Sequence, residues 1–206
     1  MSDRIVSLVY VGDPMCSWCW GFAPEIESLA EELRVEVVVG GLRPGPMAQV
    51  LDDRMAAFLR HHWLEIADRT GQPFDVSALQ RRDGWVYDTE PAAMAVTQMR
   101  VMNEPATLDY FTKVQHAFYA DGRDVTDFDL LAELTEGFGV DRAEFRSGVD
   151  AEESRQRAWH DFTRARNWGI SGFPTLVGEL GDGRLALLAR GWASATTIRE
   201  RIRSVA

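Results

Sequence analysis

The chain begins its ordered pattern with a nearly unbroken apolar run, Ile5-Val-Ser-Leu-Val-Tyr-Val11, rich in β-branched residues. Such a run predicts a central strand covered on both faces. Gly12-Asp13-Pro14 breaks it, and the period then becomes helical. Phe22, Ile26, Leu29, Ala30 and Leu33 fall on one face, with Pro24 inside the pattern as a kink. Val35 to Val39 reads as a second buried strand, ended by Gly40-Gly41, with Pro44-Gly45-Pro46 as a loop. Strand, helix and strand with a short crossover predict a parallel pair.

From about Met47 to Trp168 the pattern is helical with no convincing strand. Met47, Leu51, Met55, Phe58, Leu59 and Ile66 form one stripe, stopped by Gly71 and Pro73. Thr89 is a candidate N-cap before Met94, Val96 and Met99. Asn103-Glu104-Pro105 opens a further helix carrying Leu108, Phe111, Val114 and Phe118. Thr126-Asp127-Phe128-Asp129 has capping-box form. Trp159, Phe162 and Ala165 mark a last helix before Gly169. Strand character returns at Pro174-Thr175-Leu176-Val177, turns at Gly181-Asp182-Gly183, and pairs back over Leu185 to Ala189. Ser194 caps a terminal helix with Ile198, Ile202 and Val205 on one face. The predicted fold class is therefore α/β: a β-α-β start, a helical block, and a β-β-α end that completes the sheet. The division this implies is a discontinuous α/β domain, 1–43 and 169–206, with an inserted all-helical domain over 44–168.

With 206 residues and a 46% hydrophobic share, the chain can bury a substantial core. Its formal net charge of −10 opposes binding to nucleic acid or anionic lipid. No stretch approaches the length of a transmembrane helix. Met1-Ser2-Asp3-Arg4 leads straight into strand-like sequence without a signal-peptide pattern, so a cytoplasmic location is expected.

The chemistry concentrates at the two cysteines of the chain, Cys16-Ser17-Trp18-Cys19. They stand at the mouth of the first helix, where unpaired N–H groups and the helix dipole favour a thiolate. Cys16 is thus the expected nucleophile and the more exposed thiol. Cys19, one turn in, is its resolving partner. Asp13 is the nearest candidate in sequence to exchange a proton with Cys19. A zinc site would need two further ligands. His61 and His62 point to different helix faces and read as a solvated surface pair, while His116 and His160 stand alone. Gly172-Phe173-Pro174-Thr175 forms a second element, with a proline at a strand start, where its missing N–H is tolerated.

Taken together, these features resemble the DsbA-like branch of the thioredoxin superfamily. The resemblance rests on Cys16-Ser17-Trp18-Cys19, the Pro24 kink, Trp168-Gly-Ile-Ser-Gly-Phe-Pro-Thr175 and the helical insertion. Asp88-Thr-Glu-Pro-Ala92 and Ala117-Phe-Tyr-Ala-Asp-Gly-Arg-Asp124 are similar to a bacterial subgroup described as predicted protein-disulfide isomerases. The resemblance implies a thioredoxin fold, a cis-proline at Pro174 facing the cysteines, and strand-like substrate binding along Phe173. It implies protein or peptide thiol and disulfide substrates, no bound cofactor, and glutathione or a reductase as candidate electron partner. Ser17 and Trp18 replace the Pro-His pair of the periplasmic oxidases, and Tyr10 stands where those carry an acidic residue. Both departures argue against a strong oxidase. Trp18, Trp20, Phe22 and Phe173 are candidates for an apolar rim that binds substrate; Trp18 is expected to be exposed, and Phe22 reads better as core.

Three functions compete: a thiol–disulfide oxidoreductase; a glutathione-dependent isomerase or kappa-type glutathione transferase; and a non-catalytic redox sensor or binding module. Retention of both cysteines favours the first. A homodimer is a fair prior that no residue selects.

Overall fold

The computed structural model describes residues 4–82 and 84–205. Met1–Asp3, on which the reading of the N-terminus rests, lie outside them. The first apolar run forms strand β1, Ile5–Gly12. Leu8 and Tyr10 belong to the larger core, whereas Val9 and Val11 join a smaller core on the other side of the sheet. Successive strand residues face opposite ways, so a strand buried on both faces needs apolar residues at consecutive positions. Strand β2, Val35–Val39, runs parallel to β1 with Val37 opposite Tyr10. Strand β5, Thr175–Leu180, lies antiparallel on the other side, with Leu176 opposite Tyr10. Strand β6, Leu185–Arg190, completes the order β2-β1-β5-β6. The mixed α/β architecture and the closing hairpin agree with the hydrophobic pattern.

Helix α1, Ser17–Ala30, links β1 to β2 and buries Phe22, Ile26 and Leu29. Pro24 removes the N–H that would bond to Trp20 O, four residues back. Gln72 Nε2 donates to that carbonyl instead, at 3.0 Å. The next carbonyl, Gly21 O, receives the Trp192 indole N–H at 3.1 Å. The kink is therefore held by two side chains from distant parts of the chain.

Between β2 and β5 lie α2 (Asp53–Thr70), α3 (Glu90–Met102), α4 (Thr107–Tyr119), α5 (Phe128–Glu133), α6 (Arg142–Val149) and α7 (Glu152–Asn167). This stretch is not wholly helical as expected. Two-residue strands β3 (Gln49–Val50) and β4 (Val86–Tyr87) pair within it. Two residues carry no periodic signal, which is why the pattern missed them. Helix α2 starts later than its stripe suggested: Met47 precedes it, and Phe58 is exposed rather than core. Asp52 caps α2, accepting from Met55 N at 2.8 Å, and Gly71 ends it with φ 76°. Thr89 precedes α3 without capping it; its hydroxyl accepts Arg43 N instead. Asp127, not Thr126, caps α5. The terminal helix α8, Ala195–Ser204, is capped by Ser194.

A partly buried ion pair fastens this helical layer to the sheet. Arg100 on α3 pairs with Asp161 on α7 through both nitrogens, at 2.8 and 3.1 Å. Asp161 also accepts Val39 N at 3.1 Å, and Arg100 donates to Val37 O at 2.8 Å. The end of β2, which leads into the candidate site, is thus pinned from two helices.

Candidate redox site

Cys16 is the N-cap of α1, and no side chain bonds to the free N–H groups of its first turn. The approach to it is set by Asp13. Asp13 O accepts Cys16 N at 3.0 Å, and the carboxylate accepts Met15 N at 2.8 Å and Leu42 N at 2.7 Å. Asp13 therefore ties the loop after β1 to the loop after β2. Tyr87 on β4 adds a third tie, donating to Met15 O at 2.5 Å. Asp13 is wholly buried, and burial pushes its carboxyl up to about 6 despite those bonds and the nearby Arg43.

Both cysteines are free. Cys16 retains slight exposure, 6%, and Cys19 none, so Cys16 is the more exposed thiol, as expected. Burial pushes the Cys19 thiol well up, and Cys16 pushes it further through a side-chain hydrogen bond and its charge; the Asp13 backbone and Tyr10 act the other way. The Tyr10 hydroxyl lies against Cys19 without a well-formed hydrogen bond. Burial and the Cys19 charge raise it well above an ordinary phenol.

The segment predicted to face the cysteines does so. The Cys16 thiol donates to Phe173 O at 3.7 Å, and the Phe173–Pro174 peptide is cis. Thr175 Oγ1 donates to Gly172 O and Gly191 N to Pro174 O, which hold the turn on either side of Phe173. Among the described residues no backbone group pairs with Phe173 N–H. The Phe173 ring is seated on Gly40, where a Cβ would stand 2.2 Å from it. The glycine pair read as a strand end is thus also a ring seat.

A cleft of about 220 Å³ opens over Cys16, between Phe173 and helix α2. Ser17, expected beside the nucleophile, is buried at its base. Trp18 corrects the expectation: it is half-buried, not exposed. Its ring meets His62 edge-on at 5.9 Å and carries the Arg69 guanidinium at 5.4 Å. His62 corrects a second expectation. It is half-buried, stacks on Phe58 at 5.8 Å and lines the cleft with Cys16. His61 is exposed, as read. Trp20 and Phe22 are core. The sequence places Phe58 in a core stripe and His62 on the surface, and gives Arg69 no role. Their spacing of four and seven residues puts them on one helix face, but nothing in the chain says that this face meets the cysteines.

The fold and this pair of facing turns define a thioredoxin-type protein. A family model described as Thioredoxin matches residues 9–178, and the chain belongs to that family. Within it, the chain lies in the DsbA-like branch. A candidate protein disulfide isomerase from Nitrosomonas europaea is 35% identical, covers 96% of each chain and superposes with a TM-score of 0.86. The cytosolic disulfide reductase DsbM from Pseudomonas aeruginosa is 29% identical over 89% of each chain, with a TM-score of 0.76, and its structure with GSH is similar too. The ClpXP adapter protein SpxH of Bacillus subtilis is 22% identical over 165 residues, 80% of this chain and 55% of its own. The chain thus spans about half the length of the curated relatives it matches. Among the described residues no helix is long and apolar enough to cross a membrane.

Proposed function

We propose that the protein is a thiol–disulfide oxidoreductase whose working groups are Cys16 and Cys19. The observation that carries this reading is the placement of Cys16. It caps a helix whose first N–H groups are free, and its thiol touches the carbonyl of Phe173. Thiolate is the attacking form of any cysteine, and a helix N-terminus is a setting that suits negative charge.

In the reductive direction Cys16 attacks one sulfur of a substrate disulfide, R–S–S–R′. A Cys16–S–S–R bond forms, and R′S⁻ leaves and takes up a proton. Cys19 then loses its proton and attacks Cys16 Sγ, closing the Cys16–Cys19 disulfide and expelling RS⁻. Two electrons pass from the pair to the substrate. A thiol such as glutathione restores the pair in two exchange steps, and no bound cofactor is needed. Because burial holds Cys19 as a thiol, its proton needs an acceptor; Asp13, with its carboxyl near 6 and ionised at neutral pH, fills that role. Phe173, with its free N–H, offers one rung of strand pairing to an extended substrate, and Trp18 supports the bound segment.

DsbM's description as a cytosolic reductase supports a cytosolic, reducing role for this chain, with glutathione as co-substrate. Glutathione-dependent isomerase or transferase chemistry is disfavoured, because a second buried thiol has no part in it. The likeness to SpxH supports a second reading, an adapter that holds a partner without turnover.

The test is reduction of hydroxyethyl disulfide and insulin by the reduced protein with glutathione as donor. Turnover in the natural chain, none in Cys16→Ser and a trapped mixed disulfide in Cys19→Ser are expected. Full glutathione turnover in Cys19→Ser would support the transferase class. Partner capture without any turnover would support the adapter.

A further inference from the structure

We propose that Arg69 is a carboxylate receptor beside the redox pair, so that preferred substrates are disulfides carrying negative charge near the reacting sulfur. The proposal rests on the thiol–disulfide reading above and deepens it by naming the substrate class.

The chain carries a net charge of −10, yet the two grooves that flank Trp18 are lined by no carboxylate. One groove, over Cys16, holds Arg43 and His62. The other, about 200 Å³, lies between Trp18, Arg69, Phe173 and Trp192. On an acidic surface, such a basic strip focuses anions toward itself.

Arg69 differs from the other two basic side chains. Arg43 donates to Gln49 Oε1 at 3.2 Å and lies over the Tyr87 ring; His62 is 3.8 Å from the Glu65 carboxylate. Among the described residues no carboxylate pairs with Arg69. Its guanidinium instead lies between two indoles, 5.4 Å from the Trp18 ring centre and 5.3 Å from that of Trp192. Trp192 is itself fixed by its hydrogen bond to Gly21 O. Two aromatic faces hold a cation in place without consuming its hydrogen-bonding capacity, so the planar fork remains free for a carboxylate. Trp18 lies between the cysteines, next to Cys19 and two residues after Cys16, and Phe173 lines both grooves. A substrate laid along Phe173 with its sulfur at Cys16 therefore has a side branch within reach of Arg69.

The experiment follows oxidation of the reduced protein by tryptophan fluorescence in stopped flow. Glutathione disulfide (anionic), hydroxyethyl disulfide (neutral) and cystamine (cationic) are compared, each rate divided by that with free dithiothreitol. The expected order is anionic, neutral, cationic, with the first about tenfold above the second, the size of one charge-assisted hydrogen bond. Arg69→Gln should bring that ratio close to one, Arg69→Lys should keep part of it, and salt should shrink it. A ratio near one in the natural chain, or an equal loss on all three disulfides in Arg69→Gln, overturns the proposal; a merely structural role predicts the equal loss. Peptide mixed disulfides with Glu or Gln beside the cysteine identify the source of the carboxylate. Discrimination between them extends the subsite to acidic polypeptides, and its absence beside a glutathione preference confines it to small thiols. Oxidation by hydroxyethyl disulfide without charge preference would leave the redox reading standing and remove only Arg69; failure of all three would remove both.

Discussion

One wall of the cleft is made of strand ends, and the other is a single helix. Cys16 follows β1, Leu42 and Arg43 follow β2, and Phe173 precedes β5. The Asp13 carboxylate joins the first two loops through Met15 N and Leu42 N, the Cys16 thiol meets Phe173 O of the third, and Tyr87 anchors Met15 O from β4. Opposite them α2 offers Phe58 and His62 to the cleft and Arg69 to the adjoining groove beside Trp18, all through ring contacts. Hydrogen bonds made to main-chain atoms hold these loops in place, whereas helix side chains that meet the site through ring contacts adapt to what they touch. The comparison assigns chemistry to the strand-end wall and choice of substrate to the helical wall.

That assignment breaks if the two walls respond alike to substitution. On the strand-end wall, Cys16→Ser should lower turnover by at least about a thousandfold, because the nucleophile itself is lost. Retention of a substantial fraction of the rate would move the chemistry elsewhere.

Asp13 is the next largest. Its carboxyl is raised in the fold from the ordinary 3.8 to about 6, so the fold favours the protonated acid. Its stabilising contribution is complete below pH 3.8 and is lost as pH rises through 6, a change on the order of 3 kcal/mol. Denaturation curves of the natural chain and Asp13→Asn at pH 4 to 8 isolate this group. The stability of the natural chain relative to the variant should fall over that window. The rate at which Cys19 resolves a preformed mixed disulfide should rise through pH 6 in the natural chain and lose that limb in the variant.

Gly40→Ala follows, since the added Cβ must displace the Phe173 ring. About 2 kcal/mol of stability should be lost, with turnover falling in step. Gly172→Ala is the matched control, because nothing stands within 4 Å of its Cβ. Gln72→Ala, in the turn beyond α2, should cost about 1 kcal/mol by leaving Trp20 O without its donor, measurable by urea denaturation. The smallest effect is expected at Phe58→Ala on the helical wall: KM for insulin raised about threefold with kcat little changed. A larger effect on kcat there than at Gly40 would reverse the assignment.

The two walls also differ in how far the sequence reveals them. The strand-end wall is legible because its features are local. Cys16 and Cys19 bound a motif of four residues, Asp13-Pro14 breaks a strand just before them, and Phe173-Pro174 opens another. Their facing follows once β5 is placed beside β1. The helical wall is not legible, because helix periodicity identifies two faces of α2 but not their partners. Phe58 read as core and His62 as solvent-facing, yet both line the cleft. Gln72 was invisible for a similar reason: the carbonyl that Pro24 frees is evident from sequence, but its replacement donor lies 52 residues away. The pairing of β3 with β4 escaped because strands of two residues have no period.

The central claim is that Cys16 and Cys19 form a reversible redox pair with Cys16 as the attacking sulfur. Equilibration of the protein across a glutathione redox series, with acid quench, thiol alkylation and intact-mass measurement, tests it most directly. The account predicts a single two-electron transition between two free thiols and a Cys16–Cys19 disulfide, and one glutathione adduct, on Cys16, in Cys19→Ser. Two thiols that stay alkylatable across the whole series, or an adduct on Cys19 in Cys16→Ser as readily as on Cys16 in Cys19→Ser, would contradict it.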